Sequence, residues 1–189
     1  MSTESPSPVL FDAARAATYD EHSARIAPLR DPLLLITRLA LAGLPPDAHV
    51  LCVGVGTGIE LVALAQAFPG WHFTGVEPAP AMLAVCRKKV EAMQLGERCV
   101  LHEGYLDSLP PQAPFDAATA LLVSQFQVRP GARVRFFAEI AARLRPGGAL
   151  VSADLATGPS PAAFDRLFAL WGRALSLTGI SAEQIAAMR

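Results

Sequence analysis

Cysteine, net charge and long apolar runs are all scarce in this chain, and each scarcity closes off a class of protein. Only three cysteines, Cys52, Cys86 and Cys99, stand among 189 residues. They share no metal-ligand spacing and cannot all pair, so neither a cysteine metal site nor a disulfide framework is expected. Cys52 and Cys99 fall in strand-like apolar runs, where a free thiol behaves as a small buried hydrophobe. That usage suits a reducing compartment. No apolar run reaches the roughly 18 residues of a membrane span, and the N-terminus lacks a charged-then-apolar signal pattern. The expected address is the cytoplasm, with no membrane partner. Sixteen basic residues against seventeen acidic ones leave a formal charge of −1. No basic stripe recommends a nucleic-acid partner, and Arg87-Lys88-Lys89 reads as the solvated face of a helix.

What is present is a packed domain. Hydrophobic residues make up 52% of the chain and charged ones 17%, a globular composition at single-domain length. Residues Ser2 to Pro8 are Ser/Pro-rich and read as a frayed end. Two helical stretches follow. The first runs from about Val9 to Ile26; the second takes Asp31 as N-cap, Pro32 as first helical residue and Gly43 with Pro45-Pro46 as its stop. Five apolar runs then alternate with helices: Val50–Val53, His72–Val76, Cys99–Leu101, Ala117–Val123 and Ala149–Ala153 as strands, with Glu60–Phe68, Ala81–Leu95 and Ala132–Leu144 between them. Strand–helix alternation implies right-handed crossovers and a mostly parallel sheet covered on both faces, a three-layer α/β fold. Near-continuous apolar strands agree. A last helix from Ser160-Pro161 to about Leu177 precedes Ser181-Ala182-Glu183-Gln184, a capping-box pattern.

The chemistry concentrates where Val50-Leu51-Cys52-Val53 runs into Gly54-Val55-Gly56-Thr57-Gly58. A strand, a glycine turn and a helix start bring unpaired N–H groups and a partial positive charge close to a ligand. Spacing narrows the ligand. A dinucleotide fingerprint would need glycine at Ile59, and no Gly-Lys-Ser/Thr phosphate loop follows. The glycines instead fall as G-x-G-x-G. Glu77 closes the second strand 19 positions after Gly58, where a carboxylate can accept from both hydroxyls of a ribose.

Gly54–Gly58 and Glu77-Pro78 resemble the first two motifs of the class I, Rossmann-like S-adenosylmethionine-dependent methyltransferases, small-molecule branch. The likeness continues through His102-Glu103-Gly104-Tyr105-Leu106-Asp107, the Phe115-Asp116 start of strand four and Leu144-Arg145-Pro146-Gly147-Gly148 before strand five, and so covers about Val50 to Asp154. It implies S-adenosylmethionine as cofactor and S-adenosylhomocysteine as product. It implies cofactor contacts from Val53, Gly54, Val55, Gly56 and Gly58, from Glu77 and Pro78, from Met82 at the adenine, from Gly104, Tyr105 and Leu106 around the ring, and from Leu121 and Leu122. Met82 reads equally as a core methionine. Two departures stand out: Tyr105 replaces an aspartate that often meets the adenine amine, and Cys52 replaces an acid that usually orients the glycine loop. Tyr19 in Thr18-Tyr19-Asp20-Glu21-His22 resembles a segment that folds over the cofactor.

Methyl transfer needs donor and acceptor atoms aligned about 3 Å apart, and a base only for acceptors such as alcohols. Candidates for lining or base roles are Gln125, His22 and Asp20; His49, His72 and His102 read as structural, and no metal is expected. Ser124-Gln125-Phe126 stands where methyltransferases of bases and glutamines carry Asn/Asp-Pro-Pro-Tyr/Phe, so a small-molecule acceptor is expected. Two further readings stay open: a non-catalytic cofactor-binding module acting through a protein partner, and a transferase using a modified donor. The expected organisation is a helical lid or cap over 1–48, the cofactor-binding core over 49–158 and C-terminal helices over 159–189. The related fold has seven strands, so the chain reads as a fragment lacking the hairpin of strands 6 and 7 or as a short variant that completes its sheet otherwise, and a bare edge invites a homodimer.

Overall fold

The structure is a computed structural model that describes residues 11–155, 160–177 and 179–186. The Ser/Pro-rich start and the expected boundary after residue 158 lie outside them. Two helices, α1 (Ala13–Arg25) and α2 (Ala27–Leu41), precede β1 (His49–Val53), α3 (Ile59–Ala67), β2 (His72–Glu77), α4 (Pro80–Ala92), β3 (Cys99–Glu103), β4 (Phe115–Leu121), α5 (Ala132–Arg143) and β5 (Leu144–Ala153). Two more helices, α6 (Pro161–Leu177) and α7 (Ala182–Ala186), close the described chain.

The five strands form one parallel sheet in the order β3-β2-β1-β4-β5. Alternate side chains of the strands feed two cores. Val50, Cys52 and Phe73 meet Leu61, Leu64 and Leu83 of α3 and α4 on one face. Leu51, Val53, Val76 and Ala118 meet Phe136 and Ile140 of α5 on the other. Successive connections leave β1 toward β2 and return to β4 on its far side, so the chain reverses direction between β1 and β4. In open parallel sheets the crevice beyond the strand ends at that reversal is where ligands bind.

Local sequence sets the element ends. The Asp12 carboxylate accepts from the Arg15 N–H at 2.8 Å and caps α1. At α7, Ser181 Oγ accepts from the Gln184 N–H while Gln184 Oε1 accepts from the Ser181 N–H, a reciprocal capping box. The start of α2 differs from expectation. It begins at Ala27, with Pro28 in the first turn where a missing N–H costs nothing, and Asp31 pairs with Arg30 at 2.7 Å instead of capping. Pro32 lies inside the helix, where it lacks the N–H that would bond one turn back and its ring crowds the carbonyl there.

β5 also differs. It starts at Leu144, so the Arg145-Pro146-Gly147-Gly148 run lies within the strand as a bulge. Phe115 pairs with Leu144 and Ala117 with Ala149, and Gly147 at φ +77° absorbs the extra residues. β4 stops at Leu121, because Leu122 turns to φ +60° and donates its N–H to Ala153 O at 2.6 Å. No sixth or seventh strand follows among the described residues. Leu175 of α6, Ile180 between the two C-terminal helices and Ile185 of α7 pack with Ile26 at the α1–α2 junction. Among the described residues no helix is long and apolar enough to cross a membrane.

Candidate functional site

The glycine turn leaves β1 with three left-handed glycines, Gly54, Gly56 and Gly58, at φ +67°, +55° and +82°. The N–H groups of Gly54 and Val55 both reach Val76 O, at 2.8 and 3.1 Å, tying the turn to β2. Each glycine has its own steric reason. A Cβ on Gly54 would meet Val123 Cγ2 at 2.5 Å and one on Gly58 would meet Cys86 Sγ at 2.6 Å, so both are close-approach positions. A Cβ on Gly56 would find nothing nearer than Met82 Cε at 3.6 Å. That glycine faces open space, and the space is the cavity.

Glu77 closes β2 against this turn. Its side chain is buried; Oε2 accepts from the Gly56 N–H at 3.0 Å and Oε1 from the Ala79 N–H at 2.9 Å. Burial pushes its carboxyl pKa up, and the two N–H donors pull it back toward the ionised form. Turn and carboxylate therefore touch before any ligand arrives. Beside them Gly104, at φ +147°, donates its N–H to Glu77 O at 3.0 Å, and a Cβ there would collide with Ser108 Oγ at 2.4 Å.

A cavity of about 990 Å³ opens over these strand ends. Of the residues singled out from the sequence, Val53, Gly54 and Gly56 line it from β1, Glu77 and Pro78 from β2, and Met82 from α4. Gly104 and Tyr105 line it beyond β3, Leu121 and Leu122 at the end of β4, and Tyr19 from α1. Burial raises the Tyr19 hydroxyl above its ordinary range. Met82 has both characters left open above, since it also packs with Ala16 and Ala79.

Other positions are not brought to the cavity. Val55 is buried against Gly75, Gly58 packs on Cys86, and Leu106 belongs to the core beside Phe115 and Ile140. Nor do the three catalytic candidates line it. Gln125 Oε1 accepts from the Leu155 N–H at 3.0 Å, which turns that side chain to the strand end. His22 is exposed on α1. Asp20 instead bridges two elements, accepting from Thr57 Oγ1 at 2.7 Å and pairing with Lys89 Nζ at 2.5 Å. His49 and His72 meet edge-to-face 5.1 Å apart at the starts of β1 and β2, remote from the cavity.

Sequence reasoning missed the far wall. Phe11, just ahead of α1, and Phe126, Arg129, Arg135, Phe136 and Glu139, after β4, line that wall. Five of these six follow the fourth strand in sequence, but no spacing rule marks them. Among the described residues no group of three histidine, cysteine or acidic side chains is placed to hold a metal ion.

Fold and site define an α/β protein of the Rossmann-like class with its ligand cavity at the reversal of strand order. A family model described as a methyltransferase domain matches residues 50–148, more than half of the chain. The chain belongs to that family. It is 31% identical over 145 residues to the carboxy-S-adenosyl-L-methionine synthase of Campylobacter lari, covering 76% of this chain and 60% of that protein. It is similar to a solved structure of S-adenosylmethionine-bound CalS10, an amino pentose methyltransferase from Micromonospora echinaspora, at 29% identity and a TM-score of 0.52, over 83% of this chain and 60% of that one. A methyltransferase of Geobacter sulfurreducens in complex with S-adenosylhomocysteine shares the fold at 20% identity and a TM-score of 0.56, over 76% of this chain and 62% of that one. The chain thus spans about three fifths of the length of these relatives.

Proposed function

We propose that the chain binds S-adenosylmethionine in this cavity and transfers its methyl group to a small-molecule acceptor, releasing S-adenosylhomocysteine. One observation carries the reading: the Glu77 carboxylate and the Gly54–Gly58 turn meet through the Gly56 N–H at a single point on the cavity wall. The residues present fit such a group. The Glu77 carboxylate offers acceptor capacity to a vicinal diol, open space over Gly56 leaves room for a ligand chain, and the volume lies within the range of small-molecule sites. Adenine would lie between Met82 and the Gly104-Tyr105 backbone, and Tyr19 would cover the ligand from α1. Bound there, the cofactor supplies a methyl on a positively charged sulfur. The chain's own task is to orient it, exclude water and seat the acceptor against the Leu121-Leu122 end of β4.

A second reading, a donor carrying an extra carboxylate, takes support from the Campylobacter lari relative and from Arg129 and Arg135, the two cationic residues lining the far wall. Isothermal calorimetry with S-adenosylmethionine, its demethylated product and the carboxylated donor tests both. Tightest binding of the carboxylated donor would select the second reading, and no heat with any of the three would remove both. Transfer of labelled methyl across a metabolite mixture then separates an enzyme from a cofactor-binding module.

A further inference from the structure

Two residues past Gly58, in the first turn of α3, Glu60 folds back beneath the glycine turn into the sheet. Its Oε1 accepts the hydroxyl hydrogen of Thr119 on β4, and the Cys52 thiol on β1 lies near enough to favour the ionised carboxylate. Cys52 and Thr119 are opposite each other in the β1–β4 pairing, and neither is exposed at all. Around them the wall is apolar: Val50, Ala117, Leu61 and Leu64. A carboxyl set among such residues costs free energy that a leucine would not, even with its hydrogen bond made. Stability alone does not account for its presence.

Its location suggests what it does. The turn is tied at its entrance by the Gly54 and Val55 N–H bonds to Val76 O. At its exit Gly58, the left-handed N-cap of α3, makes no side-chain capping bond because it has no side chain. Three glycines in five residues leave the intervening backbone with many alternative conformations. Glu60 joins the first turn of α3 to β4 at Thr119, directly across from Cys52 on β1 at the reversal point.

We propose that Glu60 is a positioning residue that fixes the exit of the glycine turn onto β4 beside β1, and through it the Gly56 N–H that holds the Glu77 carboxylate at the cavity. The carboxyl reaches from the helix the place that a side chain at position 52 would reach from the strand. This inference rests on the cofactor reading above for its consequence in binding, and on the ligand-free turn for its own test.

Hydrogen exchange of the peptide spanning residues 53–59, measured without ligand, and S-adenosylhomocysteine affinity by calorimetry are read side by side. In Glu60→Ala, exchange of that peptide quickens and affinity falls, each by about tenfold or more, the scale of losing a hydrogen bond to a charged group. Exchange in β3 stays at the parent's rate. Glu60→Gln keeps the acceptor oxygen and stays within about threefold of the parent, as expected for a conserved neutral hydrogen bond. Cys52→Asp combined with Glu60→Ala returns the carboxylate from the strand side and restores both readouts. If Glu60→Ala does not fold, Thr119→Val severs the same link and quickens the same peptide. Parent-like exchange of residues 53–59 in a folded Glu60→Ala or Thr119→Val protein overturns the proposal, as does failure of the folded double variant to restore it. Absence of ligand heat in the parent would remove the cofactor reading, while the exchange data would still decide the role of Glu60.

Discussion

The two walls of the cavity are built on different terms. On the β1–β2 side the polar groups at the turn are paired: Glu77 is 7% exposed and accepts twice, while the Gly54 and Val55 N–H groups share Val76 O. On the β4–β5 side Val128 is 82% exposed, Leu122 sits at φ +60°, and the Phe126 ring meets Phe11 edge-to-face at 6.0 Å. One wall is held by paired polar groups before any ligand arrives. The other is loose in the sense that its apolar side chains Leu122 and Val128 stand exposed, which leaves surface for a ligand to cover.

The sharpest way to break that contrast is to compare Gly56→Val with Val128→Ala. Gly56→Val sends a branched side chain into the cavity from a φ of +55°, and S-adenosylhomocysteine binding should fall below detection by calorimetry. Val128→Ala, on the loose wall, should leave that affinity unchanged. Equal effects would mean that the preorganised wall has been put on the wrong side. Next in size is Glu77→Ala, which removes the acceptor of the Gly56 and Ala79 N–H groups as well as the expected diol contact. It should weaken binding by about 1.5–3 kcal/mol, roughly ten- to 150-fold, as for hydrogen bonds to charged groups. Full affinity in this variant would detach the carboxylate from the site.

The same division explains what could be read from the sequence. The ordered wall lies between Val53 and Met82, so glycine spacing and the carboxylate at the second strand's tip expose it directly. The loose wall draws on Phe11 just ahead of α1, the turn after β4 and α5, which only the fold brings together. Local rules also failed where tertiary pairing overrode them. Asp31-Pro32 reads as a helix start, yet α1 leads into α2 at Ala27; Pro146-Gly147-Gly148 reads as a turn, yet pairing with β4 draws it into β5 as a bulge. Glu60 reads as one more acid in a helix's first turn. The residue is half-buried, and the turning of its carboxyl inward onto Thr119 follows from the β1–β4 register, which no local pattern in α3 reports.

Glu60 also gives the ordered wall a pH signature. Burial raises its carboxyl pKa to about 7 against the lowering effect of the Thr119 hydroxyl and the Cys52 thiol, the groups that face it from β4 and β1. Between pH 4.5 and about 7 the folded state keeps a proton there that the unfolded state has lost. Unfolding free energy from this group therefore declines as pH rises through that window, and is level outside it. Glu60→Gln abolishes the decline. Denaturant melts at pH 5 and pH 8 should show the variant gaining on the parent at the higher value, by no more than a few kcal/mol, the span such a shift allows. A constant difference between the two proteins at both values would place the carboxyl in water.

The smallest expected effect concerns the seam between the walls. Asp20 on α1 accepts from Thr57 in the middle of the glycine turn and pairs with Lys89 on α4, so one side chain fastens the helix that carries Tyr19 over the cavity. Thr57 is buried, whereas the Lys89 and Asp20 side chains are 27% and 38% exposed. The hydroxyl bond should therefore contribute about 1 kcal/mol and the screened ion pair less. Asp20→Asn keeps an acceptor for Thr57 and loses only the charge, so S-adenosylhomocysteine affinity should change by about twofold or less, with the parent's salt dependence reduced. Asp20→Ala loses both ties and should cost about three- to tenfold, expressed as faster ligand release in stopped-flow displacement, because the covering helix opens more often. If Asp20→Ala releases ligand at the parent's rate, α1 is not what retains the ligand, and the ordered wall holds it alone.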